Sequence, residues 1–121
     1  MVVCDINDLK LINDTIGHKA GDDYIRNASK LLCDTFVHSP VFRIGGDEFV
    51  AILKGSDFAN REELFTDFNN MIDENNMNGG VVISGGMAVF DPEIDESYND
   101  AFKRADELMY VRKNCLKAAK K

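Results

Sequence analysis

Val41-Phe42-Arg43-Ile44-Gly45-Gly46-Asp47-Glu48-Phe49-Val50-Ala51-Ile52-Leu53 is the stretch that decides the fold. Two β-prone runs flank a diglycine, which predicts a hairpin closed by a two-residue glycine turn. Toward the N-terminus, Tyr24, Ile25, Ala28, Leu31, Leu32 and Phe36 recur at three- and four-residue intervals, with Arg26, Asn27 and Lys30 outside the stripe. That pattern predicts an amphipathic helix over 22–37. Before it, Met1-Val2-Val3-Cys4 reads as a buried strand that stops at the polar Asp5.

On the other side of the hairpin, Asn60-Arg61-Glu62-Glu63 offers a polar helix cap with Glu three residues on. Leu64, Phe65, Phe68, Met71 and Ile72 then continue at helical spacing to a loop around 75–80. Val81 to Phe90 returns to strand chemistry, and Gly85-Gly86 in its middle predicts a bulge or a close backbone approach. Tyr98, Ala101, Phe102, Ala105, Leu108 and Met109 mark a last helix with Ser97 as N-cap, followed by a basic tail from Arg112 to Lys121.

The order β-α-β-β-α-β-α is an α+β, ferredoxin-like split βαβ arrangement with one additional helix: a mixed, mainly antiparallel sheet with helices packed on it. In that topology the first strand lies antiparallel to the third, so the end of one meets the beginning of the other. Asp5 and Asp47 become neighbours although they are far apart in sequence.

Length and composition are consistent with this. A chain of 121 residues with 45% hydrophobic content is enough for one core and too short for two. The 14 Lys and Arg against 21 Asp and Glu leave a net charge of −7, which argues against a general nucleic-acid interaction. A polyanionic ligand must therefore meet a local cation. No apolar run of about 18 residues and no leader pattern is present, so neither a membrane span nor export is expected. Three widely spaced cysteines, Cys4, Cys33 and Cys115, suggest free thiols and a cytoplasmic setting.

Two carboxylates at adjoining strand ends, beside the bare backbone of Gly45-Gly46, form a hard oxygen site suited to magnesium carrying substrate phosphates. Read blandly, the same acids mark strand ends and the diglycine is an ordinary turn. After Asp5, the run Asn7-Asp8-Leu9-Lys10 turns toward a helical segment, where backbone N–H groups could receive phosphate and Lys10 could add a point charge.

Asp5-Ile6-Asn7-Asp8-Leu9-Lys10, Ile12-Asn13-Asp14-Thr15, Gly17-His18, Gly21-Asp22 and Arg43-Ile44-Gly45-Gly46-Asp47-Glu48-Phe49 together resemble the GGDEF family of bacterial diguanylate cyclases. Ser84-Gly85-Gly86-Met87-Ala88 is similar to the family's later strand, and Arg104-Ala105-Asp106-Glu107-Leu108-Met109-Tyr110 to its final helix. The resemblance spans almost the whole chain. It implies the palm-like nucleotide-cyclase fold and a single domain over 1–121, expected to be a fragment of a longer signalling protein. It also implies condensation of two GTP molecules into cyclic di-GMP with loss of pyrophosphate, across a homodimer of facing domains. Two Mg2+ ions per site are implied, with Mn2+ as a substitute.

By the same resemblance, Asp5 and Asp47 match the side-chain metal ligands and Ile6 the position that lends its carbonyl. Glu48 matches the second signature acid, for metal binding or hydroxyl activation. Asn7, Asp8 and Leu9 fall on the phosphate loop, and Asn13 and Asp22 on the guanine-reading positions. Lys10 matches the lysine that steadies the reacting phosphates, Lys113 another phosphate contact, and Lys117 a position commonly occupied by Arg. A carboxylate at Asp22 accepts from guanine's N–H groups and would be left unpaired against adenine. Without the resemblance, Asp22 is a helix N-terminal acid, Asn13 a turn former, and the late lysines dipole partners. His18 is read as a packing residue and not as an acid–base group. Phe49, Tyr110 and the methionines are read as core.

Asn7 stands where the family often has Asp, Leu9 where it often has Phe, and Leu116-Lys117-Ala118 replaces its usual Gly-Arg-Asn. Phe36 and Ser39 occupy the Arg and Asp positions of its inhibitory product site, so product inhibition there is expected to be absent. Two other functions fit the same residues: a GTP-binding regulatory module with little or no turnover, and a purely structural ferredoxin-like domain.

Overall fold

The computed structural model describes residues 1–119. In chain order the elements are β1 (Val2–Ile6), α1 (Leu9–Thr15), α2 (His18–Thr35), β2 (Val41–Arg43), β3 (Glu48–Ala51), α3 (Gly55–Ala59), α4 (Arg61–Asn78), β4 (Ile83–Met87) and α5 (Tyr98–Ala119). The strands form one antiparallel sheet in the order β2-β3-β1-β4. This is the α+β arrangement expected from the sequence, with β1 central and paired to both β3 and β4.

Alternation along β1 divides the core. Val2, Cys4 and Ile6 join Phe49, Ala51 and Ile83 against Ala28, Leu32 and Phe36 of the α2 side and Phe68 and Ile72 of α4. Val3 and Val50 pack with Ala88 and Ala105 under α5. Phe36 and Phe68 meet with ring centroids 5.9 Å apart in the larger cluster. Cys4 lies fully inside it, and burial, with the Asp5 charge adding, pushes its thiol up to about 12. A thiol so placed is unreactive. Cys33 and Cys115 are exposed.

Several local expectations are corrected. The helix expected over 22–37 begins at His18 and ends at Thr35, and a separate α1 precedes it. Asp8, in the left-handed region at φ 62°, opens α1, and Gly17 at φ 112° breaks the chain between the two helices. His18 is exposed at the start of α2 and is not a buried packing residue. The diglycine link is four residues long, Ile44 to Asp47, closed by the Ile44 N–H donating to the Glu48 carbonyl at 3.0 Å. Neither glycine has the positive φ that a primed two-residue turn requires. Asn60 makes no side-chain cap, because it also terminates the unforeseen α3 and donates its N–H back to the Ser56 carbonyl. Tyr110 and Met77, read as core, are 63% and 86% exposed. Lys120 and Lys121 of the basic tail lie outside the described residues.

Candidate active site

The β1–β3 register pairs Asp5 with Glu48, and the Ile6 N–H donates to the Asp47 carbonyl at 2.8 Å. The two strand ends therefore meet as the topology predicts. Asp5 is only 7% exposed. Its Oδ2 accepts from Lys113 Nζ of α5 at 2.9 Å, while Oδ1 is buried with no partner.

Burial raises the Asp5 pKa. The Lys113 hydrogen bond and charge pull it back and Asp47 adds to the rise, leaving it above the usual carboxylate value. For Lys113, burial works downward, but the bond and charge of Asp5, with Asp47 and Asp8 behind it, hold the ammonium above its ordinary value. Two acids thus share one resident cation, and one acid oxygen is left over.

A cleft of about 370 Å³ opens over this corner, lined by Ile6, Asp8, Leu9, Lys10, Leu11, Asp14, Asp47, Lys113 and Lys117. Lys10 and Lys117 are exposed on its walls. Seven of the residues singled out from the sequence are brought together here: Ile6, Asp8, Leu9, Lys10, Asp47, Lys113 and Lys117. Asp5 lies beneath them. Glu48 is half-buried opposite Asp5 and does not line the cleft.

Asn13 and Asp22 stand apart from it. The Asn13 amide is pressed so closely on Gly21 that no Cβ would fit there, and the exposed Asp22 comes directly after Gly21 within α2. Asn7 departs from expectation. Its N–H donates to the Val82 carbonyl at 3.0 Å and its Oδ1 accepts from the buried Ser84 hydroxyl at 2.6 Å. The Asn7 amide is therefore committed inside the fold and is not free for phosphate.

Sequence reasoning missed Arg43 as an independent device. Its Nε and NH2 donate to the carbonyls of Gly45 and Gly46 at 3.1 and 2.8 Å. In trans peptides, the N–H groups of Gly46 and Asp47 then face away from the guanidinium. An Arg two positions before a diglycine is the signal that could have found this clamp. Asp14 and Leu11 on the cleft wall carry no such signal.

Among the described residues no group of three or more His, Cys, Asp and Glu side chains converges as a metal cluster. The donors present still fit magnesium. It binds through one or two carboxylates and completes its shell with water and substrate phosphate, and the partnerless Asp5 oxygen is a vacant hard donor.

Residues 36 and 39, at the positions of the family's product site, are turned inward. Phe36 is fully buried in the core. Ser39 Oγ donates to Asp57 Oδ2 at 2.7 Å, and the His38 N–H donates to the same oxygen.

No helix among the described residues is long and apolar enough to cross a membrane. The chain is 33% identical to diguanylate cyclase DosC of Shigella sonnei and 32% identical to DosC of Escherichia coli K12. Each match covers 93% of this chain and 26% of the relative, so the chain spans about a quarter of those proteins. It is also 26% identical to a Staphylococcus haemolyticus protein described as an uncharacterized membrane protein.

Among solved structures, the active GGEEF domain of a diguanylate cyclase from Vibrio cholerae superposes with a TM-score of 0.72 at 25% identity, covering 91% of this chain and 72% of that one. The GGDEF domain of DgcB from Caulobacter crescentus, in complex with c-di-GMP, gives 0.70 at 26% identity, covering 93% and 70%. The family described as diguanylate cyclase, GGDEF domain, matches residues 1–118. With the signature turn, the acid corner and the sheet order all in place along that span, the chain belongs to the GGDEF domain family.

Proposed function

We propose that this domain is a magnesium-dependent diguanylate cyclase that joins two GTP molecules into cyclic di-GMP, releasing two pyrophosphates, and that two copies face each other to do so. The observation that carries this reading is the buried Asp5 with one oxygen unpartnered, next to Asp47 and under a lysine-walled cleft. The family relationship supplies the reaction class.

Asp5, Asp47 and the Ile6 carbonyl would hold the metal, with Glu48 as a further acid nearby. Bound there, magnesium supplies Lewis acidity, neutralising phosphate oxygens and lowering the pKa of a hydroxyl. Lys10, Lys113 and Lys117 bind phosphate oxygens as point charges. The free N–H groups at the start of α1, from Leu9 onward, are available to the same oxygens. Asn13 and Asp22 read guanine.

Each nucleotide's 3′-hydroxyl oxygen forms a bond to the α-phosphorus of the other. The bond to pyrophosphate breaks, and in the family's pattern Glu48, the second signature acid, would take the hydroxyl proton. Since one domain holds one nucleotide, neither bond forms in an isolated copy.

GTP turnover with magnesium at rising protein concentration, with chromatographic identification of product, tests this. Cyclic di-GMP formation per molecule should rise with concentration until dimers saturate. GTP binding without any cyclic dinucleotide would instead identify a regulatory module.

A further inference from the structure

Lys113 is the one lysine of the cleft that is bonded to an acid of the corner: its Nζ lies 2.9 Å from Asp5 Oδ2, and Asp47 and Asp8 also act on its charge. Lys10 and Lys117 stand exposed on the same walls. On the reading of this corner as a metal–nucleotide site, we propose that Lys113 is a resident counter-cation. It occupies Asp5 against free divalent ions and transfers to phosphate when nucleotide and metal arrive together.

The argument rests on what each arrival leaves behind. A free divalent ion at Asp5 must displace the ammonium and then sit beside it, leaving a half-buried lysine without its carboxylate and against a like charge. A metal–nucleotide complex brings its own anionic oxygens. Lys113 lines the cleft that would hold them, so its flexible stem can exchange carboxylate for phosphate without losing a charged partner. The domain therefore takes up metal with nucleotide and discriminates against metal alone.

Mn2+ titration of the domain, followed by electron paramagnetic resonance with and without the unreactive α,β-methylene analogue of GTP, tests this apart from turnover. Without nucleotide, Lys113→Ala should bind Mn2+ about tenfold more tightly than the parent, the scale of one lost charged hydrogen bond. With the analogue, the order should reverse by a similar factor. Lys113→Arg should keep the parent pattern. Lys113→Gln, which preserves the packing of the stem, should behave as the Ala variant and serves if that variant melts abnormally.

Unchanged or weaker Mn2+ binding by both neutral variants without nucleotide would overturn the counter-cation role, even if the parent binds Mn2+ with the analogue. Failure of the parent to bind Mn2+ with the analogue would instead remove the metal–nucleotide reading, and this inference with it.

Discussion

A Cβ on Gly86 would run into the Ala105 carbonyl oxygen and the Met109 backbone nitrogen, and one on Gly85 would crowd Phe68 and Phe65 at 3.2 and 3.3 Å. A Cβ on Gly46 meets nothing within 4 Å, and one on Gly45 only the Glu48 side chain, at 3.7 Å. The same dipeptide thus stands once inside a strand, β4, and once in the link between β2 and β3. In β4 it lets α5 lie directly on the strand. Between β2 and β3, neither packing nor a positive φ within the chain asks for it, and the bare backbone there agrees with the proposed approach of nucleotide.

The largest effect is expected at the packed pair. Gly86→Ala has backbone on the receiving side, which cannot yield as a side-chain tip can, so a loss of about 3 kcal/mol or more is expected. The midpoint of urea unfolding measures it, and a variant with the parent's midpoint would break the packing account.

Gly46→Ala should do the opposite. With no obstacle and no positive φ, it should leave stability unchanged or raise it by up to about 1 kcal/mol through the unfolded chain. On the proposed reading GTP turnover should fall about tenfold, because the methyl would narrow the approach of nucleotide to this bare backbone. A destabilised Gly46→Ala, or one with full turnover, would erase the contrast between the two pairs.

Each pair also has an arginine beside it, and this sharpens the comparison. Arg43→Ala frees the Gly45 and Gly46 carbonyls, which nothing else restrains from the side chains. Turnover should fall by about three- to tenfold with the melting temperature nearly unchanged, and Lys at this position should restore part of it. The backbone amide chemical shifts of Gly46 and Asp47 should move in step. Unchanged shifts would mean the turn holds its shape without the clamp.

How much of this could be read beforehand follows the range of each interaction. The strands and the long helices were legible because apolar periodicity is local. The meeting of Asp5 with Asp47 was legible because the element order leaves one antiparallel pairing for β1 and β3. The close approach at Gly85-Gly86 was expected as one of two options, and the helix that approaches is what selects it.

The engagement of Asn7 with Val82 and Ser84 was not legible, since its partners come from β4 and the turn before it, and no local pattern joins them. The same holds for Lys113. Resemblance placed it among the phosphate contacts, whereas its bond to Asp5 depends on how α5 crosses the sheet. Tyr110 and Met77 were assigned to the core by residue type alone, and each lies on the outward side of its helix.

The smallest effect is at the arginine that braces the packed pair. Arg104, one residue before Ala105, donates from Nε to Asp95 Oδ1 at 3.2 Å, from NH2 to the other oxygen, and from NH2 to the Val89 carbonyl at 2.9 Å. It ties the start of α5 to the segment leaving β4, where Gly86 receives the helix. The Arg104 hydrogen bond, then the Asp91 N–H, hold the Asp95 carboxyl below the usual carboxylate range, against the opposing effect of burial.

A depressed folded pKa contributes stability that is fully present above the unfolded value, about 3.9, and is lost as pH falls through the lower folded value. Asp95→Asn removes that contribution. Unfolding free energies of parent and variant, measured from about pH 7 down to about pH 2, should therefore differ most near neutrality and converge in acid. A constant gap at every pH would mean that Asp95 braces α5 through shape alone. The packed diglycine would then owe its alignment to steric fit without help from the ion pair beside it.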